Sequence, residues 1–344
     1  MYGRTIIILA LVAAVVAGII GYRTLQWADG PVAAPDQHPP SQIVVISEGS
    51  SFQHVASLLE RLQLIKSKSR FLMLGRNDGA DRRIISGEYE LNPGMTPQEM
   101  LAKLTAGQVV LHAITIPEGY SIAQIGELLD IDDIVDAKDF VRLARDPAFV
   151  RSLHIDAPTL EGYLFPDTYR VARGTKAKDL IHTMVSRLWQ VFTPELKALA
   201  QARQMTPHEV LTMASVIEKE TGAGEERRLI SAVFHNRLKK KIPLQSDPTV
   251  IYGLEQFDGN IHKKDLSSPS PYNTYRVRGL PPGPIASPGA QSIEAALHPA
   301  DASYLYFVSR NDGTHQFSST LVQHNEAVER YQKKPFRRSA RPQA

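Results

Sequence analysis

Two carboxylates, Glu218 and Glu220, stand near the end of the segment 205–222 (MTPHEVLTMASVIEKETG). The segment predicts a well-defined helix. Thr206 caps it, Pro207 takes the first helical position, Glu209 closes a capping box, and Gly222 stops it. At about 100° per residue, Val210, Leu211, Met213, Ala214, Val216 and Ile217 cover one broad side. His208, Ser215 and Lys219 project opposite. Glu218 falls between Ala214 and Leu211, and Glu220 falls near Val216 and Met213, so both lie within the apolar arc but point to different sides. A carboxylate on a buried face must be paired or must hold its proton more tightly, because burial penalises the charge. A tightly held proton is what a general acid needs near neutral pH. The plainer reading is an ion pair with Arg227 or Arg237. The helical projection does not choose between the two glutamates.

The segments that must position this helix carry polar groups between rigid residues. A second amphipathic helix is expected over 227–239, with His235, Asn236 and Arg237 near its end. The stretches 242–253 (IPLQSDPTVIYG), 270–275 (SPYNTY) and 279–289 (GLPPGPIASPG) read as preorganised loops rich in Pro and Gly. Their Gln245, Asp247, Asn273 and Tyr275 are the groups a sugar site uses: amides and carboxylates for hydroxyls, an aromatic for the apolar ring face. Ordinary surface loops are the alternative, but their length leans towards function. The segment 160–169 (LEGYLFPDTY) predicts a rigid loop and a short strand, with Glu161 bonded to backbone inside it.

Before the helix, 43–115 reads as a small α+β module. Its strands are expected at 43–46, 86–91 and 109–116, and its helices at 52–63 and 67–74. A further helix starts at Thr96, where Thr96, Pro97 and Glu99 repeat the capping-box pattern. Its strand–turn–helix opening resembles the sugar-binding LysM module. From residue 116 onward the chain reads as a larger α+β region with a helical lobe, with helices near 121–129, 137–143, 177–193 and 195–202.

The N-terminal stretch 5–21 (TIIILALVAAVVAGIIG) is uncharged and close to the roughly 20 apolar residues of a spanning helix. Tyr2, Tyr22 and Trp27 flank it as interfacial aromatics do. Its apolar core is longer than that of a signal peptide. The expected layout is therefore a membrane anchor over 1–27, a Pro-rich spacer over 28–42 (Pro31, Pro35, Pro39, Pro40), the module 43–115, the region 116–332 and a basic tail over 333–344. The tail reads as a frayed terminus.

Composition excludes several classes. The chain has 344 residues, no cysteine and a net charge of +3, which removes thiolate chemistry, disulfides and cysteine metal sites. The charge is too balanced to point to nucleic acid. His235, His262, His298, His315 and His324 show no metal-ligand spacing. There is no phosphate-binding glycine loop and no serine-nucleophile elbow, so neither a metal nor a cofactor is expected.

The motifs LEGYLFPDTY, ASVIEKETG (214–222), FHNRL (234–238), LQSDPTVIYG (244–253), SPYNTY, GLPPGPIASPG and YLYFVSRNDGTHQFS (304–318), in this order, resemble the YceG-like family of endolytic murein transglycosylases. The resemblance runs over about 43–331. It implies that the catalytic glutamate is Glu218 and that the substrate is a nascent peptidoglycan strand, cut between N-acetylmuramic acid and N-acetylglucosamine to leave 1,6-anhydro ends. It further implies an inner-membrane protein with its catalytic part on the periplasmic side, working beside cell-wall synthases. Glu220, Gln245, Asp247, Asn273 and Tyr275 are then expected to orient sugar. Two other readings predict different outcomes: an anchored, non-catalytic glycan-binding scaffold, and a muramidase that uses water.

Overall fold

The computed structural model describes residues 2–34, 37, 39–220 and 223–333. Gly222, Pro35 and the basic tail beyond Lys333 lie outside them. The chain divides into two compact units, Met1–His112 with Arg170–Gly174, and Ala113–Tyr169 with Thr175–Ala344.

The first unit opens with helix α1 (Tyr2–Asp29). From Leu11 to Asp29 the helix is long and apolar enough to cross a membrane, and Leu11, Val12, Val15, Val16, Ile19 and Ile20 are exposed along it. It runs two residues into the expected spacer. Its end is held by Asp29, which accepts from Arg70 Nε at 2.6 Å and Nη2 at 2.7 Å. The Lys66 ammonium lies 5.1 Å from the Trp27 ring centroid.

Strand β1 (Gln42–Ile46), helices α2 (Phe52–Arg61) and α3 (Lys68–Asn77), strand β2 (Gly87–Leu91) and helix α4 (Pro97–Ala106) follow. β1 and β2 pair antiparallel, Val44 opposite Tyr89. Val44 and Ile46 are buried while Ile43 and Val45 are exposed, the period-2 alternation of a sheet with one wet face. Val44, Val55, Leu59, Phe71, Tyr89, Leu91, Met100 and Leu104 form the core. The expected Thr96–Glu99 capping box is present. The strand expected over 109–116 is shorter: β3 spans His112–Thr115. Val110 N donates to Glu88 O at 2.7 Å outside a regular ladder. Val109 fills the space above Gly87, where a Cβ would stand 2.5 Å from its Cγ1.

The second unit contains helices α5 (Ile122–Asp132), α6 (Ala137–Ala144) and α7 (Pro147–Ser152), the first half of strand β4 (Thr168–Val171), and helices α8 (Ala177–Val191), α9 (Pro194–Ala202), α10 (Pro207–Glu220) and α11 (Arg227–Lys239). It ends with α12 (Asp247–Tyr252), α13 (Ala290–Leu297), the antiparallel hairpin of β5 (Tyr306–Ser309) and β6 (His315–Ser318), and α14 (Leu321–Val328). Helix α12 corrects the reading of 242–253 as loop throughout. Ser246 precedes it and Pro248 occupies its first turn, a start signal shortened to six residues by Gly253.

Helix α10 packs on α13 and α11. Every residue from Val210 to Ile217 is buried, including Thr212 and Ser215. The expected solvent face through Ser215 is therefore covered. Ser215 Oγ accepts from Ile285 N at 3.0 Å and donates to Thr212 O at 2.8 Å, so the hydroxyl meets the strap laid over the helix rather than water.

Candidate active site

The strap 279–289 organises the site. Ser287 N donates to Tyr120 O and Gly119 N donates to Ser287 O, each at 2.8 Å. On its other side the strap meets the loop 160–169 at Gly162, whose φ of +79° and missing Cβ are both required: a Cβ there would lie 2.3 Å from Pro284 Cβ. His208 bridges the same parts, with Nδ1 2.8 Å from Tyr163 Oη and Nε2 2.9 Å from Pro282 O.

Where the strap ends, Gly289 N donates to Glu218 Oε2 at 3.0 Å. Arg227, on the first turn of α11, donates from Nη2 to Glu218 Oε1 at 3.3 Å. The Glu218 side chain is 7% exposed. Arg227 is itself fixed, with Nε on Ser292 Oγ at 3.1 Å and Nη1 on Gln291 Oε1 at 3.0 Å. Its Nη2 is also 3.8 Å from Glu118 Oε2. Burial and the neighbouring Glu218 charge push the Glu118 carboxyl above its usual range, against the opposing pull of Arg227. The expected Glu218–Arg227 ion pair exists, and it is part of a larger cluster that also holds Glu118 and Gly289.

Glu220 points the other way, as two residues on a helix must. It accepts from Ser246 Oγ. Burial pushes its carboxyl up to about 7, opposed by the Ser246 bond and by Arg237. Arg237 donates from Nη1 to Pro243 O and Leu244 O, each at 3.0 Å, and to Gln245 Oε1 at 3.1 Å. Gln245, in the left-handed region at φ +52°, keeps an exposed side chain. Tyr275 Oη donates to exposed Asp247 Oδ1 at 2.7 Å, and burial with Asp247 beside it raises the phenol. The loops are stitched by Ser246 N to Thr274 Oγ1 at 3.0 Å and Gln245 N to Thr274 O at 3.1 Å.

Four expected sugar-orienting residues, Glu220, Gln245, Asp247 and Tyr275, are thus gathered in one polar cluster on the opposite side of α10 from Glu218. The fifth, Asn273, is wholly buried. Its Nδ2 donates to Leu266 O at 3.1 Å and Ser268 O at 2.9 Å, and its Oδ1 accepts from Tyr275 N at 3.0 Å. With its amide engaged inside its own loop, it holds the loop that carries Tyr275. Glu161 accepts from Ile122 N at 3.0 Å and from Tyr252 Oη at 3.1 Å; burial raises its carboxyl to about 7. This is the backbone bond expected of it, reaching the first turn of α5 rather than its own loop. Glu118 was not singled out in the sequence. It lies 100 residues from Glu218 in a short turn without periodicity, and only the fold brings it near.

A mixed helix–sheet protein with an apolar N-terminal helix and a recessed, doubly held glutamate under a Pro/Gly strap defines the class. The chain belongs to the YceG-like family, whose model matches residues 44–330. A Bacillus subtilis protein named endolytic murein transglycosylase is 37% identical over 302 residues, covering 83% of each chain. A Streptococcus pneumoniae protein of the same name is 30% identical over 357 residues, covering 94% of this chain and 63% of the relative. A crystal structure of a yceG-like protein from Listeria monocytogenes superposes with a TM-score of 0.58 at 35% identity, covering 83% of this chain and 98% of that one.

Proposed function

We propose that this protein is a membrane-anchored lytic transglycosylase. It cuts peptidoglycan strands internally between N-acetylmuramic acid and N-acetylglucosamine and leaves 1,6-anhydro-N-acetylmuramic acid ends, so ending strand growth. The relatives' name supports the reaction class. The observation in this chain that carries the reading is Glu218, recessed at the end of α10 with both carboxyl oxygens fixed by Gly289 and Arg227.

In this mechanism Glu218 starts protonated and donates to the glycosidic oxygen. The bond to C1 of the muramic residue breaks through an oxocarbenium-like state. The C6 hydroxyl of the same sugar then closes on C1, a step favoured by its high effective concentration. Water does not enter the product, so the step is a lyase reaction. The cluster of Glu220, Gln245, Asp247 and Tyr275 orients sugar hydroxyls, and Asn273 acts through the loop it braces. Helix α1 anchors the chain in the inner membrane with the body on the periplasmic side, near the synthases that extrude new strands. The layout is an anchor over 1–27, a spacer over 28–42, a LysM-like module over 43–115, a catalytic region over 116–332 and a basic tail over 333–344.

The test is mass spectrometry of peptidoglycan incubated with the full chain in detergent, beside Glu218→Gln. Anhydro ends from the native chain and none from the variant support the reading. Reducing ends would make the enzyme a hydrolase. No cutting by either protein would leave the binding scaffold.

A further inference from the structure

The turn 117–120 between β3 and α5 brings a second carboxylate to Glu218. It is held by the paired bonds of Gly119 and Tyr120 with Ser287, and by Lys219 Nζ, which donates to Gly119 O at 3.3 Å. Gly119 sits at φ +76°, where a side chain is strained, and a Cβ there would stand 3.6 Å from Glu218 Cγ. The Glu118 carboxylate in turn occupies the space above Gly289. A Cβ on Gly289 would fall 1.9 Å from Glu118 Oε1 and 2.1 Å from its Cδ, so any side chain there must push the Glu118 carboxyl out of its place.

The two carboxylates therefore share one glycine and one cation. Gly289 gives its N–H to Glu218 and its missing side chain to Glu118. Arg227 Nη2 stands 3.3 Å from Glu218 Oε1 and 3.8 Å from Glu118 Oε2. Those two distances together cap the gap between these oxygens at about 7 Å, so both carboxyls can reach one scissile sugar bond. Their exposures differ: the Glu218 side chain is 7% exposed and that of Glu118 is 49% exposed. One carboxyl is recessed and the other faces the solvent from which a glycan must arrive.

We propose that Glu118 is the base of the ring-closing step, taking the proton of the muramic C6 hydroxyl while Glu218 protonates the departing oxygen. This rests on the transglycosylase reading above. The electron pair of the C1–O4 bond leaves with O4, which receives the Glu218 proton. The O6–H bond breaks as O6–C1 forms, and that proton goes to the Glu118 carboxylate. The enzyme ends with the proton on Glu118 and the charge on Glu218, the reverse of its starting state. Half-exposed Glu118 then releases its proton to solvent and Glu218 takes one up, so no other reactant is needed. The charged groups acting on Glu118 are Glu218 from α10 and Arg227 from α11, while Lys219 of α10 reaches the neighbouring Gly119 O. Burial strengthens Glu118 as a base, and the charge that appears on Glu218 as it gives up its proton strengthens it further, which suits proton abstraction near neutral pH.

The experiment compares the full chain in detergent with Glu118→Gln, Glu118→Ala, Gly289→Ala and the double variant Glu118→Ala/Gly289→Ala. It reads kcat, KM, product ends, the pH–rate profile and Tm on peptidoglycan. Glu118→Gln is expected to lower kcat by about 100-fold with KM within about 3-fold, and to flatten the acidic limb of the profile. Gly289→Ala keeps the N–H but fills the place of the carboxylate. It is expected to lower kcat by about 10-fold or more, a cost that vanishes in the Glu118→Ala background because the two changes act through one group. A Glu118→Gln enzyme within about 3-fold of native kcat and with an unchanged profile overturns the proposal in favour of one glutamate serving both steps. A fall in kcat that follows a fall in Tm, with the profile shape retained and the Gly289→Ala cost additive, overturns it in favour of a structural role. Reducing ends from the native enzyme would instead overturn the transglycosylase reading, and the ring-closing step with it.

Discussion

Gly289 and Glu218, 71 residues apart in the chain, are joined by a backbone N–H donated to a carboxylate oxygen at 3.0 Å. The bond ties the last residue of the Pro/Gly strap to the last turn of α10. With Arg227 on the other oxygen, it leaves the carboxyl little rotational freedom. A proton donor fixed in this way needs no reorganisation when a glycosidic oxygen arrives, which is how preorganised groups lower a barrier.

Arg227 is the buried cation of that arrangement. Arg227→Met leaves Glu218 without its charge partner and is expected to cost about 3 kcal/mol of stability. Arg227→Lys keeps the charge but loses the fork that spans Glu218, Gln291 and Ser292. It is expected to retain most of the stability and to lower kcat by about 10-fold or more. Thermal unfolding and turnover on peptidoglycan check both.

Two buried carboxyls unused as acid or base, Glu161 and Glu220, have their pKa raised from 4.5 to about 7. Each holds a proton more tightly in the folded chain than in the unfolded one. Their contribution is therefore full below about 4.5 and is lost as pH rises through about 7. Urea unfolding is expected to show stability falling across that window. Glu161→Gln removes its share of the slope, roughly 3 kcal/mol at most, so the variant gains on the native chain at pH 8 relative to pH 5.

Asn273 and Tyr275 separate bracing from substrate contact. Asn273→Ala strips three partly buried hydrogen bonds and is expected to cost about 2–3 kcal/mol. Tyr275→Phe removes one hydroxyl from exposed Asp247. It is expected to leave Tm within about 2 °C while raising KM by about 3–10-fold, the effect of one lost hydrogen bond to a sugar cluster. A Tyr275→Phe enzyme with native KM removes that residue from the substrate site.

Removing residues 2–27 tests the anchor. Leu11, Val12, Val15, Val16, Ile19 and Ile20 are exposed along α1, the apolar surface that a bilayer would cover. The truncated chain is expected in the soluble fraction and the full chain with membranes, read by fractionation and immunoblot. A full chain released by salt alone would argue against a spanning helix.

Much of the site was legible in the chain before folding. Thr206, Pro207 and Glu209 announce the start of α10 because capping is local chemistry, and the box forms as expected, Thr206 N to Glu209 Oε2 at 2.7 Å and Glu209 N to Thr206 Oγ1 at 3.2 Å. The same periodicity places Glu218 and Glu220 on different sides of the helix. It could not tell that Ser215 would be buried, because the strap that covers it comes 64 residues and more later. Nor could local signals separate Asn273, turned into its own loop, from Asp247, left in solvent two residues before Thr249; both are polar residues in Pro-rich segments.

What the sequence by itself determined is the set of elements: the apolar N-terminal helix, the capped helix carrying two carboxylates, and the rigid motifs around it. Each follows from spacing, capping and backbone preference acting over a few residues. What only the tertiary structure decided is partnership. Glu218 meets Arg227, Gly289 and Glu118, while Glu220 meets Ser246. Those assignments depend on how α10, α11 and the strap pack, and a charge finds its partner through space, where sequence separation carries no information.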